Sequence, residues 1–155
     1  MKYTFLITIL IITAASQAMA SNYELKDINI VPVEVQDKLA AAEIITSFQL
    51  LDHLITPEQR KTFAATHAVQ QEDVSKLANM LELMQIDGIG PKAATLLMLS
   101  NVKSLKQLSQ SAPPQLLEIL IQTNTKLTIT GVQPDIANVK DWIDKAANKN
   151  LKHLK

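Results

Sequence analysis

Apolar and polar positions change rhythm twice along this chain. Residues 4–14 form an uncharged, mostly apolar run. Residues 27–35, DINIVPVEV, alternate apolar and polar, which predicts extended backbone, and Pro32 demotes that stretch from a paired strand to an edge or an arm. From Gln36 onward the spacing becomes helical. Leu39, Ala42 and Ile45, then Phe48, Leu50, Leu51 and Leu54, follow short helical periods. No second convincing strand follows, so residues 21–35 are expected to lie as an extended segment against a helical body.

Helix starts are written clearly. Thr56-Pro57-Glu58-Gln59 offers a capping hydroxyl, a proline suited to the first helical position and a glutamine to close the capping box, for a helix to about His67. The next helix runs from about Gln71 to Gln85, with Val74, Leu77, Leu81 and Met84 on one face. A helix from Pro91 to about Leu99 follows, then a short one opened by Ser104-Leu105-Lys106-Gln107, then one opened by Ser111-Ala112-Pro113-Pro114. Residues 124–131 read as a Thr-rich loop. Gln133-Pro134-Asp135 opens the last helix, with Ile136, Val139, Trp142 and Ile143 facing inward.

These elements repeat. Ile45-Thr46-Ser47 aligns with Val102-Lys103-Ser104, Pro57 with Pro114, and, after an insertion of about five residues, Asp73-Val74 with Asp135-Ile136 and Leu77 with Val139. The expected fold is a small all-α domain over residues 36–148, a degenerate duplicated helical unit with a hairpin at the junction of its halves.

Composition narrows the class. The opening run is too short for a spanning helix, which needs roughly 20 apolar residues. Lys2 before it and Ala18-Met19-Ala20 after it make residues 1–20 an expected signal peptide, cut behind Ala20, with the mature chain periplasmic or secreted. Cysteine is absent, so the fold must hold without disulfides or thiolate ligands. Basic and acidic residues balance at 15 each. Strong non-specific nucleic-acid binders usually carry a basic excess. The charge is uneven, however: acidic residues dominate 21–60, and residues 149–155 form a basic tail.

The stretch Ile86-Asp87-Gly88-Ile89-Gly90-Pro91-Lys92-Ala93-Ala94 carries the strongest motif, a helix-hairpin-helix turn. Gly88 and Gly90 are expected to allow a tight turn with positive φ and to remove Cβ atoms that would block close approach. Ile89 pins the two helices, Pro91 starts the second, and Ala94 lets them pack closely. Backbone N–H groups at a helix N-terminus attract anions such as phosphate, and Lys92 stands beside them. Gly88, Ile89, Gly90 and Lys92 are therefore the candidate nucleic-acid contacts. Glu82 and Asp87 flank the turn and oppose that use. The matching place in the second half, Gly131-Val132-Gln133-Pro134, has a single glycine.

Residues 39–147 resemble the domain-of-unknown-function family 4332. The likeness rests on Ile45-Thr46-Ser47, Thr56-Pro57, the helix leading to Gly88-Ile89-Gly90, and Val139-Lys140-Asp141-Trp142-Ile143. It implies the helix-hairpin-helix fold and no particular activity. Residues 83–97 are also similar to the Gly-Ile-Gly-Pro-Lys hairpins of exported competence DNA receptors, a likeness that implies DNA capture outside the membrane.

No catalytic constellation is legible. There is no Gly-x-Ser-x-Gly elbow and no Walker-type loop. His53, His67 and His153 have no ligand spacing, and Met80, Met84 and Met98 read as core filler. The expectation is a non-enzymatic binding module without metal or cofactor. Its partner is either the DNA phosphate backbone, gripped weakly and without sequence preference, or an envelope protein, with the hairpin then purely architectural.

Overall fold

The computed structural model describes residues 21–28 and 31–149. Among them are eight α-helices, a single 3₁₀ turn at Leu25–Asp27 and no strand, so the domain is all-α. Helix α1 covers Val33–Ala41, α2 Ser47–Asp52, α3 Pro57–His67 and α4 Gln71–Leu83. Helix α5 covers Pro91–Leu99, α6 Leu105–Ser109, α7 Pro113–Leu127 and α8 Ile136–Asn148. The expected signal peptide, Asn29, Ile30 and the end of the basic tail lie outside the described residues.

Local chemistry sets the helix starts. Thr56 accepts from the Gln59 N–H at 3.1 Å, and the Gln59 side chain accepts from the Thr56 N–H at 2.8 Å. Thr46 with Gln49 and Asp135 with Asn138 close the same kind of box. Each cap is worth about 1 kcal/mol. Apolar side chains from all eight helices, mostly leucines but Phe63 and Ala64 from α3, then merge into one core, in which Leu39, Leu50, Leu81, Leu97, Leu108 and Leu120 are fully buried.

The order of elements repeats in backbone detail. Helices α1 and α5 both have nine residues, and α4 and α8 both have thirteen. Glu43 and Asn101, 58 positions apart, take positive φ of 60° and 66°. Just after them Ile44 donates to the Leu39 carbonyl and Val102 to the Leu97 carbonyl, both at 2.9 Å. Thr46 and Ser104 are the matching caps, each accepting from a glutamine N–H three residues on. The buried stripe Val74, Leu77, Ala78 and Leu81 of α4 corresponds to Val139, Trp142, Ile143 and Ala146 of α8.

This register differs from the one the residues suggest by themselves. Thr46, not Ser47, pairs with Ser104, because the Ser47 hydroxyl serves another partner, Asn22. Val74, not Leu77, pairs with Val139. Asp135 caps α8, whereas Asp73 lies inside the first turn of α4.

Two boundaries also move, and one inward-facing position turns outward. Helix α1 starts at Val33, inside the alternating stretch, because Pro32 accepts the N–H groups of Val35 and Gln36 and so begins a helix rather than ending a strand. Helix α7 continues to Leu127, four residues into the expected loop of 124–131. Its buried Asn124 side chain donates to the Thr130 carbonyl and accepts from the Thr130 N–H, both at 2.9 Å, and so ties the loop down. Ile136 is partly exposed, since the inward face of α8 begins at Val139.

Candidate functional site

The turn between α4 and α5 sits where the two halves meet. Ile86 donates to the Leu83 carbonyl and Ile89 to the Ile86 carbonyl, which winds the chain tightly past Gly88. Gly88 has φ of +88°, a conformation that side-chain-bearing residues rarely adopt. Ile89 and Ala94 are buried and Lys92 is exposed. Gly90 does not share the expected positive φ: it is extended, at φ −84°, because it is the N-cap of α5, which it caps without a side-chain hydrogen bond. The motif residues Gly88, Ile89, Gly90 and Lys92 are thus brought together on one turn.

What stands over the two glycines comes from elsewhere in the chain. A Cβ placed on Gly88 would lie 3.1 Å from Trp142 Nε1. A Cβ placed on Gly90 would lie 2.9 Å from the Tyr23 hydroxyl. The space that the missing side chains leave is therefore taken up by the protein's own indole and phenol.

Helix α8 also clamps the turn by charge. Lys145 Nζ donates to Asp141 at 2.7 Å, to the Asp87 carboxylate at 3.2 Å and to the Asp87 carbonyl at 3.3 Å. Its pKa is raised, first by the Asp141 hydrogen bond and also by Asp87, against burial. Lys149 donates to the Gln85 carbonyl, and burial lowers its pKa. The ion pairs are partly exposed and individually weak, under about 1 kcal/mol each, but they fix where α8 meets the turn.

Glu82 does not flank the turn surface. It is 7% exposed, and its Oε1 accepts from the Leu105 N–H at 3.0 Å, at the start of α6. Asp87 does lie at the turn, paired with Lys145. Around the turn the cations Lys92, Lys145 and Lys149 are offset by Asp27, Asp87 and Asp141.

Beside α5 runs a groove of about 840 Å³. It is lined by residues of the arm (Tyr23, Asp27, Ile28), of the start of α5 (Gly90 to Ala93, with Thr95) and of the segment after α7 (Thr128 to Thr130). Among the described residues no cluster of three or more histidines or carboxylates could hold a metal ion. No described helix is long and apolar enough to cross a membrane.

Residues 30–149 match the model of the domain of unknown function DUF4332, which takes in all eight helices. The chain belongs to the DUF4332 family. Neither a curated protein nor a solved structure matches it. The DUF4332 match contains Gly88, Gly90, Trp142 and both lysines of the α8 clamp. It leaves out Tyr23, so the cover over Gly90 is supplied from outside the matched region.

Sequence reading missed Tyr23, Lys145 and Lys149. A signal for the lysines was present: Trp142, Lys145 and Lys149 share a helix face at spacings of three and four. Tyr23 has no comparable mark, since its place depends on how the arm lies on α2.

Proposed function

We propose that this protein is a non-enzymatic protein-interaction or structural module of the cell envelope, exported by its N-terminal signal peptide. In this reading Gly88 to Lys92 form a helix-hairpin-helix that serves as an architectural joint between two helical units. One observation carries the reading: both hairpin glycines are packed against the chain's own side chains, Trp142 and Tyr23. A phosphate-gripping hairpin needs its glycines bare so that a ligand's oxygens can approach the backbone. Here self-packing alone accounts for them. The balanced charge around the turn points the same way, because phosphate binding draws on a basic excess.

A second reading is sequence-independent DNA contact. It is favoured by the start of α5, where Gly90 has no side-chain cap and Lys92 is exposed beside the free first-turn amides. Export with such a hairpin would then serve DNA capture outside the cytoplasm.

A salt series separates the two. Binding to labelled single- and double-stranded DNA is measured for the protein and for Lys92→Ala. The architectural reading expects no binding even at low salt. Affinity that falls steeply with salt and drops further in Lys92→Ala would establish the DNA reading in its place.

A further inference from the structure

Two equivalent amides in the two halves are answered by different chemistry. Ser47 and Leu105 each open a short helix directly behind its cap, Thr46 or Ser104. The Ser47 N–H donates to the backbone carbonyl of Tyr23 at 2.8 Å. The Leu105 N–H donates to the carboxylate of Glu82 at 3.0 Å. The 58-residue step that relates the two helices also carries Glu24 onto Glu82. Glu24 is exposed and pairs with Lys26 at 2.7 Å, whereas Glu82 is enclosed between α4 and α6.

We infer that Glu82 is a proton-sensitive joint between α4 and α6, at which the fold is more stable when the carboxyl is protonated than when it is ionised. The first half carries no counterpart, because its joint ends on a backbone carbonyl that does not titrate.

The sign follows from what faces Glu82. Arg60, from α3, is the charged side chain whose field reaches it, and its Nε donates to the Leu54 carbonyl. From α6 comes the Leu105 N–H, at the positive end of a short helix. Both favour the carboxylate. Burial opposes them and is the larger effect, so Glu82 titrates above its ordinary value of 4.5. The folded chain therefore holds this proton to higher pH than the unfolded chain does. The stability it contributes is fully present below the unfolded value and is lost as pH rises through the folded one. The neutral acid still offers its carbonyl oxygen to Leu105, so protonation removes the larger desolvation cost and keeps the hydrogen bond in a weaker, neutral form.

The test is a pH titration of the protein's amide NMR spectrum, beside Glu82→Gln. The Leu105 amide is expected to shift with a midpoint above 4.5 while the Ser47 amide does not follow it. In Glu82→Gln that Leu105 transition disappears, since the glutamine carbonyl accepts the same bond without titrating. Each unit of separation between the folded and unfolded midpoints corresponds to about a tenfold change in the folding equilibrium. The wild type should lose that factor as pH rises, and Glu82→Gln should not. A Leu105 amide that stays flat, or a midpoint at or below 4.5, overturns the inference. The wild-type titration decides the matter by itself even if Glu82→Gln fails to fold.

Discussion

The hydroxyl of Tyr23 lies 2.9 Å from where a Cβ on Gly90 would stand. Gly90 has φ of −84° and ψ of −179°, an extended conformation open to any residue. Contact with Tyr23, not backbone strain, is therefore what an alanine there would meet. Gly90→Ala should lose about 1–2 kcal/mol through overpacking. In a Tyr23→Ala background the same change should cost little. A double-mutant cycle by urea denaturation should give a coupling of at least about 0.5 kcal/mol. Strict additivity would mean that Tyr23 does not seat on the turn.

Gly88 presents the opposite case. Its φ of +88° penalises any side chain, and Trp142 Nε1 stands 3.1 Å from the added Cβ. The backbone term alone is about 1–2 kcal/mol. Gly88→Ala should therefore cost more than Gly90→Ala, roughly 2–3 kcal/mol in all. Trp142 is the only tryptophan, so its fluorescence reports directly on the turn. The emission maximum of the folded variant should move, together with a lower Tm. An unchanged spectrum would separate Trp142 from the turn.

Helix starts were legible because capping is local: Thr56 and Gln59, or Asp135 and Asn138, lie within one turn of each other. The fold class followed from the apolar spacing for the same reason. The register of the repeat was not legible. Ser47 resembles Ser104 as a residue, but only the arm decides that Ser47 bonds Asn22 while Thr46 caps the helix. The candidate site divides the same way. Gly88-Ile89-Gly90 is a local pattern and stood out at once. Its covering side chains, Tyr23 and Trp142, come from distant parts of the chain, and no local pattern specifies a tertiary contact. Glu82 shows the cost of proximity arguments: it is close to Gly88 in sequence, yet its carboxylate serves α6.

Asn124 explains why α7 outlasts its expected end. It is buried, and its side-chain amide exchanges two hydrogen bonds with the backbone of Thr130. Asn124→Ala removes both and leaves the half-buried carbonyl and N–H of Thr130 without their partner, at about 1–2 kcal/mol. Asn124→Asp keeps the acceptor for the Thr130 N–H but sets a carboxylate against the Thr130 carbonyl, and should be as damaging at neutral pH. Thermal melts of both variants check this. Hydrogen exchange should localise the loss to residues 124–131.

Asn22 gives a prediction at the other end of the chain. Its Oδ1 accepts from the Phe48 N–H at 3.2 Å and from the Ser47 hydroxyl at 3.1 Å. It thus adds a second cap to α2 beyond Thr46. Segments outside the packed helices ordinarily tolerate change. Here the backbone of Tyr23 and Leu25 is also bonded to residues 45 and 47, and Leu25 is buried in the core. Asn22→Ala should therefore cost about 1 kcal/mol, the usual loss for a cap. Asn22→Asp should keep both bonds and gain from the helix dipole at low salt. Shortened chains beginning at residue 22 should melt like the chain beginning at 21, and chains beginning at 26 should melt well below it. Equal melting of all three would show that the arm contributes nothing to the fold.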